Sequence, residues 1–238
     1  MYTITQYLLP EWISIFFLFV IPLPFILIAM FVRREARKLP VLSAFPTVIV
    51  FFVLYLAYII FASYKGWFNL VSLPPRIILL TTIPYIFLLF GILIHTKIYK
   101  IIVKNAAIED LVKLHIFRLI GVFFIILAYH RSLPHYFAFI AGTGDIITAL
   151  TSIYVVKAIQ NKKKYAKKIT YIWNIFGVTD ILFTIIAANM LTKISIDTGT
   201  MGVDTLATFP FCIIPAFAPP TILFLHWTIF KKLKCFSV

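Results

Sequence analysis

Three observations predict an all-α, polytopic transmembrane bundle of about seven helices. Of the 238 residues, 62% are hydrophobic and only 13% are charged. A soluble domain carries roughly 45–50% apolar and about 25% charged residues. The apolar residues fall in long runs without alternation, and nearly all charges lie between the runs. Such a chain has lipid as its solvent. In lipid the backbone must satisfy its own hydrogen bonds, which leaves helices or a closed barrel, and non-alternating runs exclude the barrel.

Each span is read at about 20 apolar residues. The first covers about Trp12 to Val32, with a kink expected at Pro22 and Pro24. It is not a cleavable leader, because no Lys or Arg precedes it and Arg33, Arg34, Arg37 and Lys38 follow it. The second runs from about Phe45 to Tyr64. The third begins after Pro74-Pro75-Arg76 and ends near His95. Lys100, Lys104, Glu109 and Asp110 make residues 97–113 a surface helix. The fourth span covers about Val112 to Tyr129, the fifth Tyr136 to Val156, the sixth Ile169 to Leu191 and the seventh Leu206 to Phe230. No repeat, linker or low-complexity stretch divides the chain, so residues 1–238 read as one domain.

The loop charges set an expected orientation. One side holds the Arg33–Lys38 cluster, Lys97, Lys100, Lys104, Lys113, the lysines from Lys157 to Lys168, and Lys231, Lys232 and Lys234. The other side holds Lys65, Arg76, Arg131 and Lys193. The positive-inside bias places the N-terminus outside and the C-terminus in the cytoplasm. The net charge of +14 is therefore a topology signal, and no nucleic-acid partner is expected. The expected partners are the lipid bilayer and a small molecule or ion. Cys212 lies in an apolar run and Cys235 in the tail, so no disulfide framework is expected.

Arg118, Asp145 and Asp180 fall inside spans. Intramembrane charges are costly and usually face the bundle interior. At 1.5 Å per residue, Asp145 lies roughly 14 Å below the outer edge and Asp180 roughly 16 Å above the inner edge. Both are near the midplane of a core about 30 Å thick. Arg118 starts roughly 9 Å above the inner face and reaches upward, so the three are expected to meet. Small residues at helical spacing around Asp145 (Ala138, Ala141, Gly142, Thr148, Ala149, Ser152) turn that face inward. Trp173, Gly177, Thr184 and Ala187 share the face of Asp180.

His95, His115 and His226 share a depth near the basic ends of their helices. Imidazoles at one level suit a metal or haem, but no His-x-x-His or Glu-x-x-His pair supports one, and neither metal nor cofactor is expected. Pro210, Pro215, Pro219 and Pro220 crowd the seventh span. Adjacent prolines are expected to interrupt that helix and leave free carbonyls beside Asp145 as a polar pocket. The stretch Thr221 to His226 lacks the lysine that a retinal pigment needs.

Gly142-Thr143-Gly144-Asp145 resembles the Gly-x-Gly-Asp motif of intramembrane aspartyl proteases of the presenilin and prepilin-peptidase type, and Pro215-Ala216-Phe217 resembles the Pro-Ala-Leu of the presenilin group. That resemblance implies a carboxylate dyad of Asp145 and Asp180. The order departs from the family, whose other aspartate precedes the motif.

A wider pattern covers the C-terminal half: Phe117-Arg118, Leu133-Pro134, Gly144-Asp145-Ile146, Trp173-Asn174, Phe209-Pro210, Pro215, Pro219 and Leu225-His226. It resembles a family of small bacterial polytopic inner-membrane proteins of no established activity. The resemblance implies a multi-pass protein of the inner membrane and directs attention to Arg118, Asp145, Asn174 and His226. The leading expectation is a small proton-linked transporter or permease, with Arg118, Asp145, Asp180, Asn174 and His226 as its binding or proton-linked residues. The alternatives are a receptor-like sensor or structural subunit, and an aspartyl protease. No phosphate-binding loop, Ser-His-Asp arrangement or zinc motif points to another enzyme.

Overall fold

The computed structural model describes residues 9–37, 44–70 and 72–234. Lys38 and Cys235 lie outside the described residues. Every regular element among them is helical. Seven helices are long and apolar enough to cross a membrane: Glu11–Ala36, Ala44–Tyr64, Ile78–His95, Ile108–Tyr129, His135–Gln160, Ala166–Thr198 and Ile213–Lys234. They are called the first to seventh long helices below.

The first breaks at Ile21 and resumes with Pro22, where a missing N–H is harmless. The third contains two π-helical stretches, Ile78–Thr82 and Phe87–Ile92, on either side of Pro84. The expected surface helix is shorter than residues 97–113. It covers Lys97–Asn105, capped by the Thr96 hydroxyl, and the fourth long helix starts at Ile108. The sixth is longer than its apolar core and ends where Gly199 takes a left-handed conformation.

Contacts at the two ends fit an up-and-down arrangement. Arg34 pairs with Asp110 at 2.6 Å, and Lys232 reaches the Lys104 carbonyl at 3.1 Å, so the basic loops meet. At the opposite end Thr205 donates to the Ser132 carbonyl at 2.7 Å. Between the two ends the core is aromatic: Phe25, Phe52, Tyr85 and Phe217 pack together, with Phe25 and Phe217 rings 4.1 Å apart.

The seventh helix departs from expectation twice. It begins at Ile213 rather than Leu206, because Pro210 disfavours helix at Phe209 and leaves a short 3-10 turn, Asp204–Ala207, ahead of it. It is also continuous through Pro219 and Pro220. These prolines deprive the carbonyls of Pro215 and Ala216 of their helical donors. The Thr82 hydroxyl donates to Pro215 at 2.7 Å and the Tyr55 hydroxyl to Ala216 at 2.9 Å. Tyr58 serves Leu80, four residues before Pro84, in the same way at 3.0 Å. The freed carbonyls thus face the second and third helices, and the polar pocket expected beside Asp145 does not form from them.

Candidate functional site

The fourth long helix is α-helical at Ile108–Leu114 and Val122–Tyr129, but 3-10 between them, at His115–Gly121. Arg118 sits in that segment and is 1% exposed, the largest of the fully buried side chains. Its Nε donates to Asp145 Oδ1 at 2.7 Å, and its Nη2 pairs with Asp180 Oδ2. Nη1 donates to the Gly177 carbonyl at 3.3 Å and lies 3.3 Å from His226 Nε2. The fourth, fifth, sixth and seventh helices therefore converge on one guanidinium.

Asn174 fixes the histidine. Its Nδ2 donates to the His226 carbonyl at 3.0 Å, and its Oδ1 lies 2.7 Å from His226 Nδ1. The Oδ1 can only accept, so His226 carries its hydrogen on Nδ1 and presents the Nε2 lone pair to Arg118. Trp173, beside Asn174, donates to the Thr148 carbonyl at 3.1 Å and ties the sixth helix to the fifth.

Glycines make this convergence possible. A Cβ on Gly144 would lie 1.7 Å from Asp180 Oδ1, and one on Gly177 would lie 2.4 Å from the His226 ring. Gly121 and Gly142 face each other where the fourth and fifth helices cross. A Cβ on Gly121 would meet Asp145 Cβ at 2.5 Å, and one on Gly142 would meet the Gly121 carbonyl at 2.8 Å. Small residues at such crossings allow close backbone approach.

The five residues expected from the sequence, Arg118, Asp145, Asp180, Asn174 and His226, are thus in one network. A crevice of about 20 Å³ reaches Arg118 and Asp145 and is otherwise lined by apolar groups such as Phe117, Phe124 and Ile214. That is room for about one water molecule. Among the described residues, the ion pairs of Asp145 and Asp180 are to Arg118 alone. With both carboxylates ionised the cluster carries one uncompensated negative charge. A protease dyad shares a proton between adjacent carboxylates. Here the guanidinium bridges the pair, which argues against that chemistry.

The sequence reading grouped His115 with His95 and His226, and His115 does lie beside this network. Its ring lies 4.1 Å from that of His226 and 5.1 Å, edge-on, from Trp173. The i, i+3 spacing of His115 and Arg118 is the signal that pairs them. His95 is exposed and apart. Among the described residues, no group of three or more His, Cys, Asp or Glu is placed to hold a metal.

No curated protein and no solved structure matches the chain. A family pattern matches residues 74–234, a stretch that holds the whole cluster. The chain belongs to that family, a domain of unknown function, DUF8737.

Proposed function

We propose that this is a multi-pass protein of a bacterial inner membrane that moves a proton, alone or with a small solute, through the Arg118–Asp145–Asp180 cluster. The N-terminus is outside and the C-terminus cytoplasmic, as the loop charges favour. One observation carries the functional reading: a single buried guanidinium is shared by two carboxylates. Buried charge is strongly penalised unless compensated. One guanidinium compensates one carboxylate, so the second calls for a proton or small cation. That vacancy is what a coupling site needs, since the ion can be taken up and released without dismantling the bundle. Asp145 borders the crevice described above, which has room for about one water molecule beside its carboxylate.

A second reading makes the cluster a fastener of the fourth to seventh helices. The full set of bonds around Arg118 and the small crevice favour it. Proteoliposomes enclosing a pH-sensitive dye separate the two. Under an imposed membrane potential the transport reading expects a proton flux that Asp145→Asn and Asp180→Asn abolish and Lys193→Gln leaves intact. No flux, or equal flux in all four proteins, would leave the fastener. A C-terminal reporter active only outside the membrane would overturn the orientation.

A further inference from the structure

We propose that His115 is the second partner of the Arg118 guanidinium: when one carboxylate is neutralised by the proton it takes up, the guanidinium N–H it held is handed over to His115, while the other carboxylate stays paired with Arg118. This rests on the proton-linked reading and names the residue that senses occupancy of the site.

Three observations lead there. His115 is 0% exposed, yet neither ring nitrogen has a hydrogen-bond partner. Buried polar groups are almost always bonded, and an orphaned one asks for an explanation. Its place in the chain supplies one. His115 and Arg118 both lie in the 3-10 segment His115–Gly121, where residues three apart eclipse each other on one face. The His115 ring also lies 4.1 Å from that of His226, tilted by 34°, and His226 already touches Arg118 Nη1. The guanidinium is thus bonded to the carboxylates and, through His226, neighbours an unused imidazole.

The charged or titratable groups around His115 are Arg118 on its own helix, His226 from the seventh, and, through Arg118, Asp145 from the fifth and Asp180 from the sixth. Each ionised carboxylate holds its own guanidinium nitrogen, Nε for Asp145 and Nη2 for Asp180, by a charge-assisted bond, the stronger kind. A carboxylate that gains a proton loses that hold. The neutral imidazole of His115 then offers an unoccupied lone pair, and donation from Arg118 relieves its unbonded state. A 3-10 run of seven residues in mid-helix is unusual and often marks a hinge. Its rise is about 2.0 Å per residue against about 1.5 Å in an α-helix, so small local rewinding shifts Arg118 along the helix axis.

The test is ¹⁵N NMR of histidine-labelled protein in lipid nanodiscs, with His115 assigned by its loss in His115→Phe. In the wild type the unprotonated His115 nitrogen should resonate as a free lone pair. In Asp145→Asn/Asp180→Asn it should move upfield, as an accepting nitrogen does, and an unchanged shift overturns the proposal. Should the double variant not fold, Asp180→Asn alone must show the shift or the proposal fails. Thermal stability gives a second reading. His115→Phe should raise the melting temperature of the wild type and lower that of Asp145→Asn/Asp180→Asn; the same sign in both backgrounds overturns the handover. Absence of proton flux with the sign reversal present would remove the transport reading and keep the handover, and intact flux without reversal would do the opposite.

Discussion

Gly144→Ala probes the cluster without altering a charge. The added methyl would lie 1.7 Å from Asp180 Oδ1 and 2.5 Å from its Cγ. No such contact survives, so either Asp180 leaves Arg118 or the fifth and sixth helices separate. Breaking one side of a buried ion pair costs about 3–5 kcal/mol. Alanine returns about 1 kcal/mol of helix propensity. A net destabilisation of roughly 2–4 kcal/mol follows. Unfolding by SDS titration in mixed micelles measures it. A double-mutant cycle identifies the cause. Asp180→Ala removes the obstructing carboxylate and leaves Arg118 paired with Asp145, so adding Gly144→Ala to it should cost little. The coupling should be roughly 1–3 kcal/mol, the range for residues in contact. Additive effects, within about 0.5 kcal/mol, would show that the packing of Gly144 against Asp180 is not what limits this site.

Two further outcomes follow from the same structure. Tyr55→Phe and Thr82→Val each strip one proline-freed carbonyl of its donor. Each should destabilise by about 0.6 kcal/mol, the average for interhelical hydrogen bonds in membranes, and by no more than about 1.7 kcal/mol, and Tyr58→Phe should behave alike at Leu80. Calorimetric melting of the three variants checks this, and an effect confined to Tyr58→Phe would contradict the account of Pro219 and Pro220. At the end opposite the basic loops, burial raises the Asp204 carboxyl above its ordinary 3.8, with its own backbone hydrogen bond opposing. The folded protein therefore holds that proton more tightly than the unfolded chain does. Its contribution to stability is full below 3.8 and is lost as pH rises through the raised value. Asp204→Asn should flatten that part of the pH–stability curve, and an unchanged slope would count against burial as the cause.

The spans were legible because lipid leaves the chain one economical pattern, long apolar runs separated by charge. The meeting of Arg118, Asp145 and Asp180 was legible for the same reason, since three charges set in long apolar runs have few partners other than one another. What escaped depended on neighbours. Hydropathy does not reveal that Tyr55 and Thr82 stand opposite the seventh helix, so Pro219 and Pro220 read as a break. The 3-10 segment at His115–Gly121 has no proline to announce it, and its register alone puts His115 over Arg118. The glycines were visible as small residues, but only the backbone crossings show that Gly144 and Gly177 make room for a carboxylate and a ring.

The borrowed hydroxyls of the seventh helix also bear on how the protein is made. A helix that supplies all its own hydrogen bonds can enter a bilayer alone and find its neighbours afterwards. This one cannot do so without exposing the carbonyls of Pro215 and Ala216 to hydrocarbon. It leaves the ribosome after the second and third helices, which carry the residues that complete it, Tyr55 and Thr82. The order of synthesis therefore presents the donors before the helix that needs them. Burying this segment in a bilayer would call for the second and third helices to be at hand, a requirement written into the chain by two adjacent prolines.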